Sequence, residues 1–243
     1  MLVIGLTGGI ASGKSTVSSY LHNHHGLPII DADYLARAVI EPGTAGYHAI
    51  IKHFGKRVLQ DDGVQLDRKA ISDIVFNDEK ERKVLNGIVH PAVRKAMAWE
   101  VMRCWMQGHW ACILDVPLLI EAGLYKWVGE IIVVYVNESL QLARLQDRPS
   151  PNPNESRLTS SQAQARIRSQ MPLSGKLKYA DYVVDNSGTK PELEKQLDVW
   201  VNKIKSRSAG WKKTVYWLIP PVGLWGALMT LAARGWKRYR AKL

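Results

Sequence analysis

The chain has 243 residues, 46% of them hydrophobic, enough to bury one substantial α/β core with small insertions. Two cysteines, Cys104 and Cys112, are too few for a disulfide framework and lie at no common zinc spacing, so both read as buried thiols of a reducing compartment. The net charge of +11 belongs to one end: ten Lys or Arg and no acidic residue lie from Lys203 onward, leaving 23 basic and 22 acidic side chains before it. That distribution excludes a basic nucleic-acid-binding face on the body of the protein.

The N-terminus opens with a short apolar strand (Leu2, Val3, Ile4, Leu6) that runs directly into Gly8-Gly9-Ile10-Ala11-Ser12-Gly13-Lys14-Ser15. The apolar start is too short for a secretory signal, and none is expected. The motif has Gly-x4-Gly-Lys-Ser spacing, and Val17, Tyr20 and Leu21 continue it with helical periodicity. Strand, glycine-rich turn and helix together make a phosphate cradle, with backbone N–H groups pointing inward and a helix N-terminus behind them. Lys14 is placed to reach the β- and γ-phosphates of a nucleoside triphosphate, and the Ser15 hydroxyl to ligate Mg²⁺. The motif alone leaves the reaction open.

Gly26 and Pro28 end the first helix, and a second strand, Ile29-Ile30, runs into Asp31-Ala32-Asp33. His22, His24 and His25, with no cysteine or second cluster nearby, read as a solvated helix end. Residues from about 34 to 108 read as mostly helical. The clearest helix there follows His90-Pro91, with Pro91 in its first turn and Val93, Ala96, Met97, Val101 and Cys104 on one face. Phe54, Trp99 and Trp105 read as core. A third strand, Ala111 to Leu114, ends in Asp115-Val116-Pro117, and a fourth, Ile131 to Val136, is apolar throughout, as a strand covered on both faces would be. A helix from about Glu138 to Arg148, a Pro/Asn-rich loop, a helix starting at the capping box Thr159–Gln162 and running to about Gln170, a short strand at Tyr182–Val184 and a last helix from about Pro191 to Lys205 complete the body. The alternation predicts a doubly wound parallel sheet of five strands with its ligands at the carboxyl ends.

Three carboxylates fall where strands end. Asp115 has the position of the acidic partner that holds Mg²⁺ beside a phosphate loop; the plainer reading is an Asp that opens the turn before Pro117. Asp31 and Asp33, two apart, point the same way if the segment is extended, and one of them could be a general base toward an acceptor hydroxyl. Asp33 could equally cap a helix from Tyr34, with Arg37 as its i+4 partner. Arg144 and Arg148 share one face of their helix and, with Arg166, flank a loop in the manner of a phosphoryl-transfer lid; solvated surface arginines are the alternative.

These motifs resemble the dephospho-coenzyme A kinase family. The resemblance runs from Gly5-Leu6-Thr7 through the phosphate loop to Ser15-Thr16, then Asp31-Ala32-Asp33 with Arg37, Glu41-Pro42-Gly43, Asn86 to Arg94, Asp115-Val116-Pro117-Leu118-Leu119 with Glu121, and Gln141-Leu142 with Arg144 and Arg148. It ends with Arg166-Ile167, Gln170, Ala180-Asp181-Tyr182 and Asp185-Asn186-Ser187-Gly188. It implies an ATP- and Mg²⁺-dependent kinase, a phosphate-loop α/β fold over residues 1–205, that phosphorylates the 3′-hydroxyl of dephospho-CoA in the last step of coenzyme A synthesis. It further implies an acceptor-binding helical insertion over about 34–108 and a lid over about 145–178. By residue, it implies Asp33 as base; Lys14 and Arg144 in catalysis; Gly8 to Thr16, Arg144, Arg148 and Asn186 on ATP; Thr7, Asp33, Arg37, His90, Arg94, Leu118 and Glu121 on the acceptor; Ser15 and Asp115 on the metal. Ile120 stands where the family commonly has Phe, and the stretch after Arg148 is longer than usual. The rivals are another small-molecule kinase on the same scaffold and a tethered ATP-binding scaffold; intact Lys14, Asp33 and Asp115 argue against the second.

Thr214 to Ala233 is a 20-residue run without a charge, with five basic residues on either side and Trp and Tyr at both ends. As a helix it would span roughly 30 Å, a bilayer core, although Pro220-Pro221 would interrupt it. Residues 206–243 are therefore expected to form a membrane anchor that spans or lies in the interface, with a soluble tail helix packed on the kinase or a partner as the alternative. The equal basic flanks leave the orientation open; the resemblance to eukaryotic forms of the kinase, some of which carry an apolar C-terminal extension, implies a kinase in the cytosol on a mitochondrial or endoplasmic-reticulum surface.

Overall fold

The computed structural model describes residues 1–148 and 157–208. The described residues form two compact units, one from residues 1–29 together with 107–148 and 157–208, the other from residues 30–106.

The first unit is built on a five-stranded sheet: β1 (Leu2–Gly8), β2 (Ile29–Asp31), β3 (Ala111–Asp115), β4 (Glu130–Tyr135) and β5 (Tyr182–Asp185), in the order β2-β3-β1-β4-β5. The pairs β1–β3, β1–β4 and β4–β5 are parallel, with Ile4 opposite Ile113 and Glu130, and Val133 opposite Val183. All five residues of β3 and the middle of β4 are buried, the burial their unbroken apolar sequences predict.

One face of the sheet carries α1 (Lys14–His25) and α9 (Lys190–Ser208). Val17 and Leu21 of α1 and Leu193, Leu197, Trp200, Val201 and Ile204 of α9 bury themselves against Ile4, Leu6, Ile113, Ile132, Val134 and Val184. The two helices are also tied to each other, because the Tyr20 hydroxyl and His25 Nε2 both lie 2.9 Å from Asp198 Oδ1. Burial, and then the bond to Asp198, hold the Tyr20 phenol above its ordinary pKa, so it stays a donor. His24 stacks on Tyr20, and His22 lies 3.1 Å from the Leu27 carbonyl oxygen. Three further helices follow β4: α6 (Glu138–Asp147), α7 (Ser160–Arg168), which packs against α6, and the short α8 (Leu173–Leu177). The predicted capping box at Thr159 and Gln162 is formed in full.

The second unit holds α2 (Ala32–Ala38), α3 (Ala45–Phe54), α4 (Arg68–Asn77) and α5 (Glu79–Met106), around a core of Tyr47, Ile50, Phe54, Val58, Leu66 and Ile71. Two expectations fail here. The helix expected to begin at Pro91 begins at Glu79 and runs through it for 28 residues. Proline lacks one N–H, so the helix forgoes a single i→i−4 bond, and burial of Leu85, Ile88 and Val89 before it and Met97 and Cys104 after it outweighs that loss. Trp99, expected in the core, is 62% exposed. It is two residues from Met97, and a helix turns by about 200° over two residues, so the two cannot share the buried face.

Among the described residues no helix is long and apolar enough to cross a membrane. The run from Thr214 to Ala233 and the loop at 149–156 lie outside the described residues.

Candidate active site

The site starts at the turn from β1 to α1. Helices α2, α3, α4, α6 and α7 each begin with a side-chain oxygen cap: Asp31, Thr44, Asp67, Asn137 and Thr159. Helix α1 begins at Gly13 with no side-chain cap and no acidic residue in its first turn. Its first N–H groups therefore have neither an intrahelical acceptor nor a carboxylate to compensate the positive end of the dipole, which is the form an anion site takes. Gly13 sits at φ 85°, and Ala11 at φ 58° holds a left-handed conformation without being glycine, at a cost of about 1–2 kcal/mol. The only buried side-chain oxygen without a partner among the described residues, Ser12 Oγ, is in this loop.

Four groups distant in sequence fix the loop's shape. Asn186 Nδ2 donates to the Ser12 carbonyl at 2.8 Å, Gln141 Nε2 donates to the Ile10 carbonyl at 2.8 Å, and the Ile10 N–H donates to Gln170 Oε1 at 3.2 Å. Leu173 packs against Gly9: a Cβ there would lie 2.6 Å from Gln141 Nε2 and 3.2 Å from Leu173 Cγ. A Cβ on Gly13 would overlap Asn186 Nδ2. Gly13→Ala combines that overlap with a left-handed backbone, so ATP affinity should fall at least roughly tenfold. Titration with a fluorescent ATP analogue measures it.

Lys14 is ion-paired with Asp115, which is buried at the end of β3. The strand register sets Asp115 opposite Leu6, and the Val116 N–H donates to the Leu6 carbonyl, so the carboxylate lies at the carboxyl edge beside the loop. Ser15, in the first turn of α1, is exposed. A Ser hydroxyl and a carboxylate are hard oxygen donors, and no group of three or more His, Cys, Asp or Glu forms a metal cluster among the described residues. Two protein oxygens with the remaining positions left to phosphate and water suit Mg²⁺.

The other predicted residues distribute as follows. Thr7 is fully buried, and its hydroxyl donates to the Pro117 carbonyl at 2.8 Å. Leu118 is exposed, and Ile120, at the position where the family commonly has Phe, is buried. Glu121 accepts from Lys176 at 3.0 Å and from the Met171 N–H at 3.2 Å. Arg144 is half-buried on α6; Arg148 is the residue that ends α6 with an extended backbone, so it is not on the helix face with Arg144 as its spacing suggested. Arg166 is exposed on α7, and Gln170 lies beyond the end of that helix.

In the second unit the chain is already helical at Ala32, so Asp31 and Asp33 do not share an extended segment. Asp31 is the cap: its Oδ1 accepts from the N–H groups of Asp33 and Tyr34 at 2.8 and 3.1 Å. Asp33 sits inside the first turn, exposed, with no hydrogen-bond or ion-pair partner for its carboxylate among the described residues. Its reading as a cap paired with Arg37 is therefore wrong, because Asp31, two positions earlier, fills that role. Arg37, His90 and Arg94 are exposed on α2 and α5.

Three residues that tie the site together were given no site role from the sequence: Gln141 and Gln170 on the loop's backbone, which lie in segments of the family resemblance, and Lys176, which lies in none. Lys176 left one signal. Leu173, Lys176 and Leu177 fall at i, i+3 and i+4, so a lysine occupies the apolar stripe of a short helix.

The model of the dephospho-CoA kinase family matches residues 2–192. The chain belongs to the dephospho-CoA kinase family. A dephospho-CoA kinase of Geobacillus kaustophilus is 49% identical over 196 residues, covering 81% of this chain and 93% of that protein. One of Saccharomyces cerevisiae is 39% identical over 237 residues, 96% of this chain and 94% of its own length, so the likeness continues past the family match. Among solved structures, a dephospho-CoA kinase from Campylobacter jejuni superposes with a TM-score of 0.62 at 29% identity, covering 83% of this chain and 96% of that one.

Proposed function

We propose that this chain catalyses its family's reaction, ATP-dependent phosphorylation of dephospho-CoA in coenzyme A biosynthesis, and that the acceptor is the ribose 3′-hydroxyl. The observation that carries the reading is the uncapped, positively polarised start of α1 beside the Lys14–Asp115 pair, in a chain that matches the dephospho-CoA kinase family over residues 2–192. Gly8 to Thr16 hold the triphosphate through backbone N–H groups, and Lys14 neutralises β- and γ-phosphate oxygens. Ser15 and Asp115 would hold Mg²⁺, which when bound withdraws charge from the phosphates. Asp33 takes the proton of the 3′-hydroxyl as that oxygen bonds to the γ-phosphorus and the bond from γ-phosphorus to the β-bridging oxygen breaks, releasing ADP. Arg144 and Arg148 stabilise charge on the moving phosphoryl group. Arg37, His90 and Arg94 of the helical unit bind the acceptor's anionic groups, and Asn186 shapes the loop from the adenine side. The test is a coupled ADP-release assay with dephospho-CoA and a panel of other acceptors, with the product identified by mass; phosphorylation of another acceptor in preference to dephospho-CoA overturns the reading.

The uncharged run and its basic flanks support a second proposal, that residues 209–243 bind the protein to a membrane. Because α9 runs to Ser208, deletion of 209–243 leaves it whole. The full chain should stay with membranes through carbonate extraction, and the truncated chain should be soluble with unchanged kcat. A full chain recovered in the soluble fraction overturns the anchor.

A further inference from the structure

Lys176 has a surface exposure of 0%. Its Nζ donates to the Pro117 carbonyl at 2.9 Å and pairs with Glu121 Oε1 at 3.0 Å. Lys176 is wholly buried while Glu121 keeps solvent access, and an ion pair that desolvates an ammonium is a poor device for stability, since an apolar side chain of similar volume often does as well or better. What this pair does uniquely is hold two segments in register.

The first segment is the turn after β3. The Pro117 carbonyl takes two hydrogen bonds, from Lys176 and from the Thr7 hydroxyl, and so fixes the path of Asp115-Val116-Pro117. The second is the stretch from Gln170 to Leu177. Glu121, held by Lys176, accepts from the Met171 N–H; the neighbouring Gln170 accepts from the Ile10 N–H in the phosphate loop, and Leu173 packs against Gly9. One ammonium therefore sits where the carboxylate segment and the loop's outer brace meet.

We infer that Lys176 is a positioning residue for phosphoryl transfer: through Pro117 it sets Asp115, and through Glu121 and the Met171–Gln170 backbone it sets the phosphate loop. The inference rests on the kinase reading above. It predicts that removing both charges together restores stability and leaves catalysis impaired, because the packing is kept and the register is not.

The experiment uses the full chain and five variants: Lys176→Met, Glu121→Gln, Lys176→Met/Glu121→Gln, Gln170→Leu and Lys176→Met/Gln170→Leu. Lys176→Met should lower the thermal midpoint, and Lys176→Met/Glu121→Gln should regain it. In that double variant kcat should remain roughly ten- to a hundredfold below the parent, the loss a small misplacement of reacting groups produces, with KM for ATP raised. Gln170→Leu should weaken binding of a fluorescent ATP analogue, and its effect should be less than additive with Lys176→Met. A Lys176→Met/Glu121→Gln variant with parental midpoint, kcat and KM for ATP overturns the inference, as does strict additivity. If no lysine variant folds, Glu121→Gln alone carries the test, with lowered kcat expected and parental kinetics overturning it. A parent chain that fails to phosphorylate dephospho-CoA would instead overturn the kinase reading.

Discussion

Asp33→Asn should lower kcat by roughly a hundred- to ten-thousandfold, the range general-base catalysis contributes, while ATP affinity stays near that of the parent. The substitution is nearly isosteric and removes the proton acceptor. It leaves the helix start alone, because the two N–H bonds that cap α2 go to Asp31 Oδ1 and not to Asp33. Asp33 also lacks an ion-pair partner among the described residues, so no buried cation is stranded when its charge goes. Loss of rate with the thermal midpoint unmoved is the expected pattern, and parental kcat in a folded variant would remove Asp33 from the mechanism. Asp31→Ala gives the contrast: it should cost about 1 kcal/mol of stability by loss of the cap.

Lys14→Met should reduce kcat by roughly a thousandfold, comparable with removing one preorganised donor to a developing anion. It also has a structural effect. Asp115 is buried and paired with Lys14, so methionine at 14 takes away its compensating cation and should lower the thermal midpoint. Lys14→Met/Asp115→Asn should recover the midpoint, since a neutral amide needs no cation, and should recover none of the activity. Thermal denaturation and the coupled assay, run on the same preparations, separate the two roles. Restored turnover in the double variant would show that Lys14 acts only on Asp115.

The sheet was legible because its strands are apolar runs, four of the five ending in Gly or Asp, and β1, β3 and β4 are buried as such runs require. The phosphate loop was legible because its chemistry needs fixed residue types at fixed spacing, and helix α1 begins at Lys14 as read. Asp33 was only half legible: two acidic residues two positions apart compete for one cap, and which one wins depends on where the strand lets go of the chain. Pro91 and Trp99 misled for a related reason, since tertiary burial carries a helix through proline and a helix face can leave a tryptophan outside. Gln141, Gln170 and Lys176 were not legible as site residues. Their partners are 131, 160 and 59 positions away, and periodicity has no reach over such separations.

The two helices on the sheet's first face also settle where the chain is handed on. Helix α1 starts at the phosphate loop and leads away from it, and α9, which follows β5 from the same edge of the parallel sheet, lies alongside it, with Asp198 meeting Tyr20 and His25. At 1.5 Å per residue, the 19 residues of α9 carry the backbone roughly 28 Å from the strand ends where phosphate is bound. Ser208, the last described residue, thus ends a helix that has run away from that edge of the sheet. The membrane attachment proposed for residues 209–243 would therefore act from the far end of α9, a helix length removed from the loop that holds phosphate.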